Sequence, residues 1–222
     1  MKYQLLDNFK LDPRIEVTRI YRDFYGQGWA PETRDNISAR LEDNSFWITA
    51  EEKADTVLLP TDFVRIYPDG KVYRKYPDIL PPKLIGIHKT IYELFSSARF
   101  CCELHSLDTN LIDNLISRLF LGYKQTLPSL LTSNQLGSKL DISSESFRSI
   151  PIFDNSIQVE QIFNSKKTYY SANPPQIPIL IIRNHCTIIW ADSLEAVQGY
   201  VEALKFITDY TVEFEALNLC YQ

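Results

Sequence analysis

No apolar run in this chain approaches the ~18 residues that a membrane-spanning helix needs, so no membrane segment is expected. The opening residues, Met1-Lys2-Tyr3-Gln4-Leu5-Leu6-Asp7-Asn8, are interrupted by polar side chains too early for the apolar core of a secretion signal. CxxC spacing is missing too. Cys101 and Cys102 are adjacent, Cys186 follows a histidine and Cys220 lies in the tail, a pattern that suggests neither a disulfide framework nor thiol-redox work. A reducing cytoplasm is therefore the expected compartment. Positive charge is in short supply: 23 Lys and Arg against 28 Asp and Glu give a net charge of −5, which argues against nucleic acid as a partner. No repeat or linker divides the 222 residues, and a 45% hydrophobic content suffices for a full core, so one domain over 1–222 is expected.

What is present alternates between helical and strand periodicity. Ile15, Val17, Ile20, Tyr21 and Phe24 recur at helical spacing and stop before Gly26, which predicts an opening helix over Pro13 to Tyr25. Short β-rich runs follow at 46–49, 56–59, 63–67 and 71–74, with Pro68-Asp69-Gly70 as a turn. A helix is expected from Lys83 to Ala98, with His88 on its apolar face as a core residue, and then a buried strand from Phe100 to Leu104. Asp108 caps a further predicted helix ending near Gly122, whose stripe holds Leu111, Ile112, Leu115, Ile116 and Leu119. The Ser-, Thr- and Asn-rich stretch from Pro128 to Ser149 reads as loop. Strands at 150–153, 179–182 and 186–190, a helix at 159–166 and a long final helix capped by Ser193 complete the pattern. The fold class expected is α/β: a three-layer α/β/α domain with a central mixed, largely antiparallel sheet.

The segment from Gly28 to Arg40 reads as a phosphate-binding turn whose small residues have given way to charged ones. Such a turn presents backbone N–H groups to an anion, and Ser or Gly suit the positions held by Arg34 and Asp35. Around it lie Asn36-Ile37-Ser38-Ala39-Arg40, Ile48-Thr49-Ala50, Glu103-Leu104-His105, Ile150-Pro151-Ile152-Phe153-Asp154-Asn155 and Ile182-Arg183-Asn184-His185. In this order, over about residues 12 to 215, these words resemble the class II aldolase/adducin family, most of all its methylthioribulose-1-phosphate dehydratase branch.

The resemblance implies a homo-oligomer, commonly a tetramer, and one divalent metal, zinc, held by three histidines. Two would stand in a His-x-His word and one in a Gly-His-Gly word. Here those words read His105-Ser106-Leu107 and Asn184-His185-Cys186, so one ligand of three is gone. Strand alternation puts Glu103 on the same face as His105, where its carboxylate can serve as a replacement ligand, and Cys101 shares that parity. The position that the resemblance assigns to an acid/base carboxylate is Leu84, and a hydrocarbon moves no proton. A second such position aligns with Lys124. Glu51 and Glu52 stand where phosphate would rest, with Arg34 and Lys83 offsetting them, and Asn36 is the phosphate position kept.

These departures at Arg34, Asp35, Glu51, Glu52, Leu84, Leu107 and Lys124 suggest a protein that kept the fold and lost catalysis. It would bind a small-molecule ligand or a protein, or sit as an inactive subunit beside a paralogue, with no metal or one zinc weakly bound. The alternative is a zinc-dependent methylthioribulose-1-phosphate dehydratase or sugar-phosphate aldolase with a rebuilt site. Either way His105 and His185 are expected to approach each other. Trp29, Trp47, Tyr73 and Tyr76, without evident partners in the helix stripes, point to a subunit interface.

Overall fold

A computed structural model describes residues 12–29, 35–51, 58–105, 107–120 and 150–220, without the side chains of residues 115, 117–120, 210, 211 and 213–220. Helix α1 spans Pro13–Gly26; Asp12 caps it by accepting from the Arg14 amide, and Pro13 sits at N1, where its missing N–H costs nothing. Val17, Ile20, Tyr21 and Phe24 form its inner stripe and are at most 3% exposed. Burial of each such side chain contributes about 1.5–3 kcal/mol.

Strands β1 (Asn36–Arg40), β2 (Phe46–Thr49), β3 (Phe63–Ile66) and β4 (Val72–Tyr73) follow, with a 3-10 turn at Pro60–Asp62. Gly70, at φ +84°, closes the hairpin between β3 and β4, a conformation that a side chain would strain. Helix α2 (Ile85–Leu94) leads into β5 (Phe100–Leu104), then α3 (Thr109–Phe120), β6 (Ile152–Phe153), α4 (Ser156–Ser165) and α5 (Lys167–Ala172). Strands β7 (Ile179–Ile182) and β8 (Cys186–Ala191) form a hairpin before the final helix α6 (Leu194–Cys220). The eight strands make one sheet in the order β4-β3-β2-β1-β5-β8-β7-β6. All neighbours are antiparallel except β6 and β7.

Each face of this sheet carries its own core. Ile37, Ala39, Cys102, Leu104, Ile179, Ile181 and Ile189 pack with α1, α3 and α6, whereas Ile48, Val64, Cys101, Leu180, Cys186 and Ile188 pack with α2 and α4. This is the expected mixed, mostly antiparallel sheet between helices. Among the described residues, no helix is long and apolar enough to cross a membrane.

Three local expectations need correction. Asn36–Arg40 is a central strand rather than part of a turn; its Asn, Ser and Arg have weak strand preference, but pairing with β2 and β5 on both sides overrides it. Leu58 and Leu59 are not strand: Pro60 opens the 3-10 turn, and Leu59 donates its amide to Asp62 Oδ2 (2.8 Å). Trp29, Trp47 and Tyr73 have partners within the chain. Trp29 packs on Phe24 at 5.9 Å between ring centroids, while Trp47 meets Tyr73 at 6.3 Å and carries the Arg14 guanidinium 4.3 Å above its ring. Residues 56 and 57 and the loop at 128–149 lie outside what is described, as do the side chains of Leu115, Leu119 and Thr211.

A candidate metal centre at the end of the central strands

The chemistry collects where β5 ends and the β7–β8 turn begins. In the β1–β5–β8 register Asn36 faces Glu103 and Ser38 faces Cys101, while Ile188 pairs with Glu103 from the other side. Alternation then puts Asn36, Ser38, Cys101, Glu103 and Cys186 on the α2 face of the sheet. His105 continues this parity one step past β5. His185 enters from the turn, where Asn184 takes the left-handed conformation at φ +54° that Asn tolerates.

The rings of His105 and His185 lie 5.0 Å apart, centroid to centroid, nearly perpendicular. One donor atom from each of Glu103, His105, His185 and Cys186 can be chosen so that all lie within 4.8 Å of one another. Tetrahedral zinc with bonds of about 2.1 Å puts its ligands about 3.4 Å apart, so rotamer adjustments of roughly 1 Å close the set. The structure thus places the two expected histidines together with Glu103, and adds Cys186.

Asp35 holds His105 from behind. Its Oδ1 accepts from the His105 backbone N–H (2.6 Å) and lies 3.2 Å from Nδ1, and the carboxylate is fully buried. An ionised carboxylate only accepts, so Nδ1 donates to it and Nε2 is the nitrogen left to face Glu103 and the cleft. Nε2 lies 3.3 Å from Glu103 Oε1, a contact that a proton on Nε2 bridges in the metal-free chain and that a metal ion bridges once bound there. Glu103 Oε2 accepts a long bond from Asn36 Nδ2 (3.4 Å), and Asn36 Oδ1 in turn accepts from Thr49 Oγ1 (3.0 Å). Burial pushes the Cys186 thiol well up, with the Glu103 and Asp35 carboxylates adding to the shift, so without a metal it stays protonated. A coordinated thiol loses that proton, and the donor set of imidazoles, thiol and carboxylate suits zinc.

Above these groups opens a cleft of about 130 Å³ lined by Asn36, Glu51, Pro82, Lys83, Leu84, Glu103, His105 and His185. At its rim Lys83 Nζ lies 3.0 Å from Glu51 Oε1, the lysine side chain 85% exposed. An ion pair this exposed is worth at most about 1 kcal/mol, so an incoming anion can compete for the lysine.

Of the expected pocket residues, Asn36, Glu51, Lys83 and Leu84 line this cleft. Leu107 does not: it is 3% exposed in the core shared with α1 and α6. A leucine after His105 is best buried, and its side chain leaves the site to Glu103 and Cys186. Arg34, Glu52 and Lys124 lie outside the described residues. Two contributors were missed from sequence: Asp35, counted as a departure from a phosphate turn, and Cys186, whose parity with Glu103 depends on the β5–β8 register.

The sequence profile described as "Class II Aldolase and Adducin N-terminal domain" matches residues 15–211. The chain belongs to the class II aldolase and adducin family. Within this family, the chain is 36% identical over 210 residues to a methylthioribulose-1-phosphate dehydratase from Microcystis aeruginosa, covering 94% of this chain and 99% of the relative. A protein of the same name from Persephonella marina is 29% identical, with 95% and 94% covered. Among solved class II aldolase structures, a sugar-phosphate aldolase from Thermotoga maritima superposes with a TM-score of 0.62 at 14% identity, covering 91% of this chain and 94% of that one. The L-fuculose-1-phosphate aldolase from Thermus thermophilus gives 0.56 at 14%, with 94% and 97% covered. These structural likenesses carry the fold.

Proposed function

We propose that this protein is a metal-dependent lyase acting on a sugar phosphate, with dehydration of methylthioribulose 1-phosphate as the reaction best supported. The carrying observation is the set of four donors within 4.8 Å, which supplies two ligands beyond the paired histidines. The names of the relatives point to the same reaction. This reading inverts the preference drawn from sequence, because the two histidines, Glu103 and Cys186 make a four-donor set with leucine at 107. A divalent metal bound there supplies Lewis-acid polarisation of a substrate oxygen.

The remaining roles fall to the chain itself. Lys83, at the rim, meets the anionic end of the substrate once it parts from Glu51. Glu51, freed from that ion pair, is the carboxylate in the cleft placed to take a proton, since Leu84 takes none. Asp35 and Asn36 orient His105 and Glu103. Leu84 is also the observation that favours the second reading, a binding module that retains a metal without turnover.

The test assays purified protein for dehydration of methylthioribulose 1-phosphate before and after chelation, then after zinc is returned. Zinc-restored turnover supports the lyase. Metal uptake without turnover on this substrate or a sugar-phosphate aldol supports the binding module. A homo-oligomer is part of the same proposal, supported by the exposed Tyr73 and Tyr76, 53% and 48% accessible. Light scattering that finds a monomer at micromolar concentration contradicts that part alone.

A further inference from the structure

Between the sheet and α2 a line of polar side chains runs through what is otherwise an apolar core. Tyr92 OH lies 2.7 Å from Ser38 Oγ, and Ser38 Oγ lies 2.7 Å from His88 Nδ1. Among the described residues the other ring nitrogen, His88 Nε2, has no hydrogen-bond partner, and it faces Glu103 Oε2 at 3.8 Å. Ser38 and His88 are fully buried, Tyr92 and Glu103 nearly so. A polar row of this kind stabilises a core less than apolar side chains of the same shape, so its presence calls for another role.

The direction of its protons follows from donor counting. Burial holds the Tyr92 phenol protonated, so it can donate to Ser38 Oγ. Ser38 then has one proton to give, and the His88 acceptor at 2.7 Å is much closer than the Cys101 carbonyl at 3.4 Å. With Nδ1 accepting, the ring proton sits on Nε2 and points at the Glu103 carboxylate. The opposite tautomer would aim a lone pair at a buried anion.

We propose that His88 is a positioning residue: fixed in its Nε2–H tautomer by Ser38 and Tyr92, it holds Glu103 Oε2 and so turns Oε1 toward His105 as the metal ligand that replaces the missing histidine. Asn36 holds Oε2 from the other side. A small shift of the Glu103 carboxylate would close the 3.8 Å separation to a hydrogen bond. His88 touches neither metal nor substrate. This inference rests on the metal reading given above.

The experiment measures cobalt and zinc affinity by competition with a chelator, together with the visible spectrum of the cobalt protein, for His88→Phe, His88→Gln, Ser38→Ala and Glu103→Gln, and for each of the first three combined with Glu103→Gln. Groups that orient a metal's ligands typically change affinity 10–100-fold, and His88→Phe is expected to weaken binding by about that much. His88→Gln, whose amide can donate from near the Nε2 position, recovers most of it. Ser38→Ala, a small change with little risk to folding, weakens binding and shifts the cobalt bands. On the Glu103→Gln background all three effects vanish, because they act through that carboxylate. Weakening of equal size with and without Glu103, or folded Ser38→Ala with unchanged affinity and spectrum, overturns the proposal. Failure of wild type to take up metal at all would instead overturn the metal reading beneath it.

Discussion

Asp35 Oδ1 receives both the backbone N–H and the ring Nδ1 of His105, tying the end of β5 to the residue before β1 through one buried carboxylate oxygen. Losing it frees both the ring and the strand end. Asp35→Ala is expected to weaken zinc binding about 10–100-fold, the range for such supporting groups, and Asp35→Asn, which keeps the accepting oxygen, to weaken it less. Competition titration with a chelator measures both.

Cys186 gives a spectroscopic prediction. As a ligand its thiolate produces a charge-transfer band in the near ultraviolet of the cobalt protein, which Cys186→Ser abolishes while Cys101→Ser leaves it in place. Without metal, burial raises Cys101, Cys102 and Cys186 alike, so all three resist alkylation near neutral pH until the protein unfolds.

Arg183 clamps the turn that delivers His185. Its Nε donates to Asp113 Oδ2 (2.8 Å) on α3 and its Nη1 to Asp154 Oδ1 (2.6 Å) after β6, which joins the 150–155 and 182–185 words in space. Both pairs are largely exposed, so Arg183→Ala is expected to cost little stability, about 1 kcal/mol or less by thermal melting. Metal affinity should fall more clearly, since His185 loses the anchor beside it.

Asp12 sets the acid response of the first helix. Hydrogen bonding to the Arg14 side chain lowers its pKa, with burial opposing and the Arg14 amide assisting. A carboxylate lowered in the folded state adds stability that is full above its unfolded value, near 3.9, and lost as pH falls through the lower folded value. Asp12→Ala is therefore expected to destabilise by about 0.5–2 kcal/mol at neutral pH. That difference shrinks below about pH 4, as denaturant melts at both pH values will show.

Much of this was legible because local patterns carried it: the α1 stripe, the Ser193 cap that accepts from Ala196 N–H, and the β7–β8 hairpin all follow from neighbours in sequence. Asn36–Arg40 escaped because a strand paired on both sides can be polar on one of its faces when that face lines a site. Leu58 was buried as expected of a hydrophobic residue, but Pro60 diverted its neighbour out of any strand. In the site, Glu103 was readable from parity within one strand. Asp35 and Cys186 were not, because their positions depend on the pairing of β1, β5 and β8 across long sequence separations. His88 was read as core and is core; its line to Glu103 emerges only when α2 is laid on the sheet.

The central claim is that Glu103 and Cys186 complete a metal centre with His105 and His185 in a chain that has leucine at position 107. Its most direct test is the metal content of wild type, His105→Ala and Glu103→Gln after equilibrium dialysis against limiting zinc. The account predicts close to one zinc per chain for wild type, next to none for His105→Ala and a clear loss for Glu103→Gln. Equal uptake by all three, or none by wild type, would contradict it.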